Sequence, residues 1–350
     1  MQTINTALLS FGMSGKVFHA PFIAVHKGFH LMGAWERSQK NIQQIYPDTT
    51  SYPTLESLLD DEKVQLVVVN TPNQTHYHYA KAAMLAGKDV IVEKAFTTTV
   101  QEAIELKQLA KKLHRNISVY QNRRFDSDCR TLQAVLKQGL LGDIIDAEFR
   151  YDRYKPVIGP KQHKETAGAG AGLLNDLGPH LIDQTITLFG MPQQVFADIR
   201  ITRPHSQVDD SFDILLYYPT MRVRLKSGMF VREATPANVL QGTKGSFIKS
   251  RGDVQETKLL EGLQPGSEDW GVETTATYGL LHTEIEGIIF KDKVPSAVGN
   301  YLDFYEEYYQ AVTTGSAMPV TCDEAIDIMK IIEAAIKSNE EKRVVSINEL

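Results

Sequence analysis

Cysteine is nearly missing. Cys129 and Cys322 are the two in 350 residues, far apart and outside any Cys-x-x-Cys spacing. A disulfide framework and a cysteine zinc site are both excluded, and the scarcity fits a reducing cytoplasm. A basic excess is missing too. Lys and Arg number 37 against 43 Asp and Glu, for a formal net charge of −6, so there is no electrostatic footprint for nucleic acid. No apolar run approaches the ~20 residues of a membrane span. Met1-Gln2-Thr3-Ile4 has no basic stretch leading into an apolar one, so neither a membrane partner nor a secretory leader is expected. No internal repeat or low-complexity tail is visible. What remains is an ordinary globular composition, 42% hydrophobic and 23% charged. At ~150 residues per domain, the length suggests about two domains.

The first third alternates strands with helices. Ile4 to Leu9 reads as an apolar strand, then Ser10-Phe11-Gly12-Met13-Ser14-Gly15, then a helical stretch from Lys16 to His26 disturbed by Pro21. A strand, a tight glycine turn and a helix are the context of a dinucleotide fingerprint. Gly12 would let the backbone approach a pyrophosphate, and Gly15 would permit close helix–strand packing. The helix N-terminus would offer unpaired N–H groups to phosphate. Ser10 stands where the first glycine of the pattern is usual. The next apolar run, Phe29 to Trp35, ends in Glu36-Arg37. Glu36 follows Gly15 by ~20 residues, where an acid for the adenosine ribose is expected. Arg37 could instead receive a 2′-phosphate, and the reading leans slightly to NAD over NADP. A short helix spans Leu55 to Leu59.

Val64 to Asn70 reads as a buried strand broken by Thr71-Pro72-Asn73, with a helix from Thr75 to Ala86 closed by Gly87. His78 on this helix reads as a surface residue, whereas His76, near its start, could touch the nucleotide. Asp89 to Val92 is the next strand and runs into Glu93-Lys94. Thr99-Val100-Gln101-Glu102 fits a capping box opening a helix to about His114, and Ile117 to Tyr120 is a further strand. Such alternation implies a doubly wound parallel sheet. Gly12, Glu36, Thr71, Glu93-Lys94 and Asn122 all come directly after strand ends, where ligands bind in these sheets.

Beyond residue 122 the pattern changes. Residues 126–140 read as helical. From Ile144 to Tyr154, Asp146, Glu148, Arg150 and Asp152 alternate with Ala147, Phe149, Tyr151 and Arg153, the period of a half-buried strand. Segments 195–202, 211–218 and 221–228 also read as strands, the last with Arg222, Arg224 and Lys226 on a solvated face. Strands without intervening helices imply an α+β second domain with a large open, mostly antiparallel sheet. Gly168-Ala-Gly170-Ala-Gly172 comes after no buried strand, so it is read as a flexible approach to a helix beginning near Asn175. On that helix Asp176 and His180 share a face, and an acid beside a histidine can orient the imidazole. No third ligand at helical spacing supports a metal site. The segment from Glu268 to Val298 reads as loops or one more strand. Asn300 to Thr313 is an aromatic-rich helix whose Tyr301, Phe304, Tyr305, Tyr308 and Tyr309 suit core packing. Thr321-Cys-Asp-Glu324 is another capping box, opening a helix to about Ser338. The expected division is a dinucleotide-binding domain over 1–122 and an α+β substrate and oligomerisation domain over 123–350, with the helix 322–338 packing back on the first.

With these residues in hand, the chain resembles the Gfo/Idh/MocA oxidoreductases. Gly12-Met-Ser-Gly15, Phe18-His-Ala-Pro-Phe22, Thr71-Pro72-Asn73 with His76, Glu93-Lys94, Asn122-Arg-Arg-Phe125 and Asn175-Asp-Leu-Gly-Pro-His180-Leu-Ile-Asp183 carry the resemblance. Gln241-Gly-Thr-Lys-Gly245 and Pro319-Val-Thr321 continue it, so that it covers essentially the whole chain. Phe18 to Phe22, Asn122 to Arg124 and Asp183-Gln-Thr185 are most similar to the scyllo-inositol dehydrogenase branch. Ala95 replaces the family's usual proline after Glu-Lys, which leaves either peptide isomer open, cis costing ~3 kcal/mol before a non-proline residue.

The resemblance implies an NAD(P)-dependent dehydrogenase acting on the CH–OH carbon of a cyclitol or sugar. His180 would be the general base and Lys94 would hydrogen-bond the same oxygen, with Asp176 holding substrate hydroxyls or fixing the histidine. Asn122 would position nicotinamide or substrate, and Arg153, Tyr154 and His163 are further substrate contacts. The cofactor set is Phe11 to Gly15, Glu36, Arg37, Thr71, Pro72, Asn73, His76, Glu93, Lys94 and Asn122. A homodimer or homotetramer built through the second sheet is also implied. Two other uses stay open: a dinucleotide-binding sensor without chemistry, or another family reaction such as a dihydrodiol dehydrogenase, an imine or enone reductase, or a glycosidase working through transient oxidation.

Overall fold

A computed structural model of the chain describes residues 3–36, 39–159 and 165–350. They form two compact units. The first comprises Met1–Asn122, Gln255–Trp270 and Asn300–Ile326, and the second Arg123–Val254, Gly271–Gly299 and Asp327–Leu350.

The first unit holds a six-stranded sheet of β1 (Ile4–Leu8), β2 (Phe29–Trp35), β3 (Thr50–Tyr52), β4 (Leu66–Val69), β5 (Asp89–Glu93) and β6 (Ile117–Tyr120). Their order is β3-β2-β1-β4-β5-β6, and every pair is parallel. The run Leu66-Val-Val-Val69 is buried along its whole length, as expected of a strand covered on both faces. The chain reverses direction across the sheet between β1 and β4, which opens a crevice beyond their carboxyl ends.

The helix expected over 16–26 is split. Gly15–His19 is a π-helical turn and Ala20–Val25 an α-helix. Pro21 has no N–H to give to the turn before it, and the N–H of Ala20 reaches back to the carbonyl of Gly15. Thr99 caps Val100–Leu113 by accepting from the N–H of Glu102, but the Glu102 carboxylate takes the N–H and hydroxyl of Thr98 instead of completing the box. At Thr321 the box is reciprocal: Glu324 N–H donates to the threonine hydroxyl, and Thr321 N–H to the glutamate. Tyr301 and the aromatic residues of helix Leu302–Thr314 fill the core as expected. Phe304, Tyr305 and Tyr308 are fully buried. Phe22 stacks on Tyr305, and Phe304 meets Tyr120 edge-on with centroids 4.8 Å apart.

The second unit holds a nine-stranded sheet of β7 (Ile144–Arg150), β8 (Gln194–Arg200), β9 (Ser211–Tyr217), β10 (Arg222–Gly228), β11 (Asn238–Gly242), β12 (Gly245–Lys249), β13 (Gly279–Ile285), β14 (Ile288–Val294) and β15 (Val345–Ser346). The order is β14-β13-β12-β11-β7-β10-β9-β8-β15, antiparallel except at β7–β10. Alternation decides the faces: Ala147, Phe149, Val223 and Leu225 are fully buried. On the opposite face Arg222 pairs with Asp146, and Arg224 and Lys226 with Asp213, so neighbouring strands neutralise the basic stripe. The segment 268–298 holds two strands instead of at most one. Glu286 and Gly287 join them with φ of 51° and 82°, the two positive angles of a tight hairpin turn. Helix Leu173–Phe189 packs on β9 and β10. Both cysteines are free and buried. No helix among the described residues is long and apolar enough to cross a membrane.

Candidate active site

In the first unit the loop after β1 and the ends of β2 and β4 enclose a cleft of about 470 Å³. It brings together Phe11, Gly12, Glu36, Thr71 and Pro72 of the expected cofactor set. Two glycines of the loop do different work. A Cβ on Gly15 would lie 2.4 Å from the carbonyl oxygen of Ser10, so the protein's own backbone demands glycine there. Among the described residues a Cβ on Gly12 would meet only the Ser10 hydroxyl, at 3.4 Å. None of them requires glycine at that position, whereas a pyrophosphate drawn against the backbone would. Ser10 is accommodated because its hydroxyl accepts the N–H of Gly12. Its carbonyl accepts from the amide of Asn70, whose own oxygen is buried without a partner among the described residues. The donors and the space fit a nicotinamide dinucleotide.

Leu9, Trp35, Gln39, Asn41, Thr75 and Tyr79 also line the cleft and were not singled out from sequence. Trp35 and Tyr79 meet edge-on, with centroids 5.7 Å apart. The i, i+4 spacing of Thr75 and Tyr79 was the available signal for one shared face.

Glu36 is already occupied. Its carboxylate accepts from the N–H groups of Asn41 and Ile42 and from the Ser51 hydroxyl, which caps the short helix Asn41–Ile45. Arg37 lies outside the described residues. His76 is buried, with Nε2 against the carbonyl of Thr71 and Nδ1 against that of Ala95, each at 2.8 Å. Burial pushes its pKa down, against the pull of those carbonyls. It braces two strand-end loops. His78 is exposed. Asn73 opens a 3-10 turn, and Met13 is exposed on the loop.

Glu93 ends β5, Lys94 follows it, and the Lys94–Ala95 peptide is cis. The Glu93 carboxylate accepts from the Ser14 hydroxyl at 2.5 Å, from His19 Nε2 at 3.0 Å and from the N–H of Lys94. Burial alone would raise its pKa, but the hydrogen bond and charge of His19, the Ser14 hydroxyl and the Lys94 charge bring it down to about 2. Asn122 is buried at the start of a 3-10 turn.

The second unit carries the remaining candidates. Helix Leu173–Phe189 starts at Gly172, whose φ is 91°, and Asp209 caps it by accepting the N–H of Leu174. Burial raises the Asp209 pKa to about 6, against that hydrogen bond. Asp176, in the first turn, lies 3.9 Å from Arg153 Nη1, so two expected substrate contacts form an ion pair. His180 is buried one turn further on. Next on the helix, Asp183 receives a forked pair of bonds from Arg124. Tyr154 is exposed beneath the guanidinium of Arg232. His163 lies outside the described residues. Among the described residues no cluster of three His, Cys, Asp or Glu is placed to hold a metal ion.

Comparison with known proteins agrees with this architecture. The scyllo-inositol 2-dehydrogenase (NADP(+)) IolW of Bacillus subtilis is 35% identical, over 99% of this chain and 97% of its own length. The structure of an oxidoreductase from Bacteroides fragilis superposes with a TM-score of 0.91 at 42% identity, covering 99% of this chain and all of the other. That of YvaA from Bacillus subtilis gives 0.94 at 34% identity, covering 99% and 98%. Residues 4–121 match the oxidoreductase family's NAD-binding Rossmann-fold domain, and 133–347 match its C-terminal alpha/beta domain. The chain belongs to the Gfo/Idh/MocA family of oxidoreductases.

Proposed function

We propose that this protein is an NAD(P)-dependent dehydrogenase of a cyclitol or sugar. The observation that carries the reading is the cleft beyond β1, β2 and β4, with Gly12 bare toward it. The inositol dehydrogenase relative supports the substrate class. When bound, a nicotinamide dinucleotide would supply hydride transfer to or from the CH–OH carbon. Phe11 to Gly15, Thr71, Pro72 and Asn73 would hold its phosphates and ribose, with Trp35 and Tyr79 lining the same cleft. His76 acts by bracing Thr71 and Ala95. Lys94 hydrogen-bonds the reacting oxygen and stabilises its developing negative charge. His180 takes the hydroxyl proton as general base. Asp176, with Arg153, holds neighbouring hydroxyls, and Asn122, Tyr154 and His163 complete the substrate and nicotinamide contacts.

NAD and NADP both suit this reading. Glu36 favours NAD as a ribose ligand, yet three donors already occupy its carboxylate, and Arg37 beside it suits a 2′-phosphate. Assembly as a dimer or tetramer through the nine-stranded sheet is supported by its edge strand β14, where Ile288 and Ile289 are 72% and 63% exposed. A cytoplasmic location agrees with two buried free thiols. The test is a screen of cyclitols, aldoses, their keto forms and glycosides with each nucleotide, monitored by nicotinamide absorbance. Turnover of a polyol or sugar is expected; dinucleotide binding without turnover of any of them would leave a sensor.

A further inference from the structure

His19 belongs to a motif that the proposed chemistry does not use, yet it is fully buried in the first unit. The π-helical turn Gly15–His19 brings its ring beneath the fingerprint loop. Nε2 lies 3.0 Å from Glu93, and Nδ1 lies 2.7 Å from the hydroxyl of Tyr305. The ring also packs against Tyr120, with centroids 4.5 Å apart. An ionised carboxylate only accepts, so the hydrogen on Nε2 belongs to histidine. The Tyr305 hydroxyl donates to Nδ1 of the neutral ring, or accepts from the imidazolium. Beyond Glu93 the chain of bonds continues to the Ser14 hydroxyl in the loop and to the N–H of Lys94 on the strand end.

We propose that His19, held by Tyr305, is a positioning residue that fixes the Glu93 carboxylate as a latch between the fingerprint loop and the strand end carrying Lys94. The proposal rests on the dinucleotide reading above. A buried carboxylate stays ionised only while hydrogen-bonded. The groups facing Glu93 are Ser14 from the loop, His19 from the π turn and Lys94 from its own strand. His76 interacts at longer range from the neighbouring helix, and Tyr305 and Tyr120 stand behind His19. Of these, His19 is the strongest counterweight to burial. Without it, Glu93 takes up a proton on the acid side of neutrality, and the accepting ends of the latch weaken.

Binding of oxidised NAD and NADP, read from quenching of protein fluorescence with Trp35 in the cleft, tests this across pH 6 to 8 (about two units around neutrality). His19→Leu is expected to bind ~10-fold more weakly than wild type near pH 6 and to recover toward pH 8. His19→Gln, whose amide can donate from near the Nε2 position, is expected to stay within ~3-fold of wild type. Glu93→Gln is expected to bind weakly at every pH, and adding His19→Leu to it should cost nothing more, because the two act through one bond. Equal, pH-independent losses in His19→Leu and His19→Gln would overturn the latch, as would additive losses in the double variant. If His19→Leu does not fold, Glu93→Gln decides alone: wild-type affinity at all pH values overturns the latch. A wild-type chain that binds neither nucleotide removes the dinucleotide reading itself, a separate outcome.

Discussion

Two strands of the parallel sheet end alike. β2 runs through apolar residues to Glu36-Arg37, and β5 runs through apolar residues to Glu93-Lys94. The two acids nevertheless do different things. Glu36 turns to the segment just after it and caps Asn41–Ile45 through two backbone N–H groups. Glu93 turns inward to His19 and Ser14, residues far away in sequence. An acid at a strand end therefore has no fixed role. The next stretch of chain differs: after Glu36 a helix starts at Asn41 with no side-chain cap from its own N-cap residue, and after Glu93 the next helix, at Val100, is already capped by Thr99.

The largest expected difference between the two ends concerns the base beside each acid. Lys94→Ala should lower kcat by ~10²–10³-fold, the usual cost of removing one stabiliser of a developing oxyanion, while nucleotide still binds. Arg37→Ala should leave kcat with saturating NAD near wild type and change only the ratio of NAD to NADP affinity. Steady-state kinetics and fluorescence titration read both. His180→Ala should lose turnover by ~10²–10⁴-fold as general base. Near-normal turnover in both Lys94→Ala and His180→Ala would defeat the assignment.

Next in size is stability in acid. The Glu93 pKa is depressed to about 2, so its contribution is fully present above the ordinary carboxylate value. It is lost as pH falls from ~4.5 toward 2, an amount on the order of 3 kcal/mol. Urea unfolding of wild type and Glu93→Gln across that window should show a steeper slope in the first, because other carboxylates with lowered pKa, such as Asp210, titrate in both. Asp209 has the opposite sign. Its pKa is raised to about 6, so ionising it destabilises the fold progressively as pH rises through that value. Asp209→Asn keeps an acceptor for the helix cap and should gain ~1 kcal/mol above pH 7 but nothing below pH 4. Equal in size is the effect of Glu36→Ala, which removes a cap from a helix of five residues and should cost ~1 kcal/mol of stability. A change in NAD affinity larger than that cost accounts for would make Glu36 a ribose ligand as well.

Much of this was legible in the chain. The strand–glycine–helix pattern, the alternation after Ile144 and the aromatic helix Leu302–Thr314 are periodic, and periodicity comes directly from which face meets water. The capping box at Thr321 was legible for a similar reason, since both partners lie within one turn. Local signals failed where a nearby residue offered a competing partner, as Thr98 does for Glu102. At Pro21 the sequence showed a disturbance, and the structure adds its form, a π-helical turn followed by an α-helix. The second strand of the hairpin 279–294 was missed because β14 is exposed along most of its length and shows no alternation.

Sequence alone determined the alternation of strands and helices in the first unit, the type of each sheet and the glycine loop that borders the cleft, because hydrophobic period and glycine placement act over a few positions. Only the tertiary structure decided that Glu36 is a cap, that His76 is a brace, and that Ser14, His19, Glu93 and Tyr305 share one chain of hydrogen bonds. Buried polar atoms must find partners wherever the fold supplies them, and here those partners lie up to 286 positions apart.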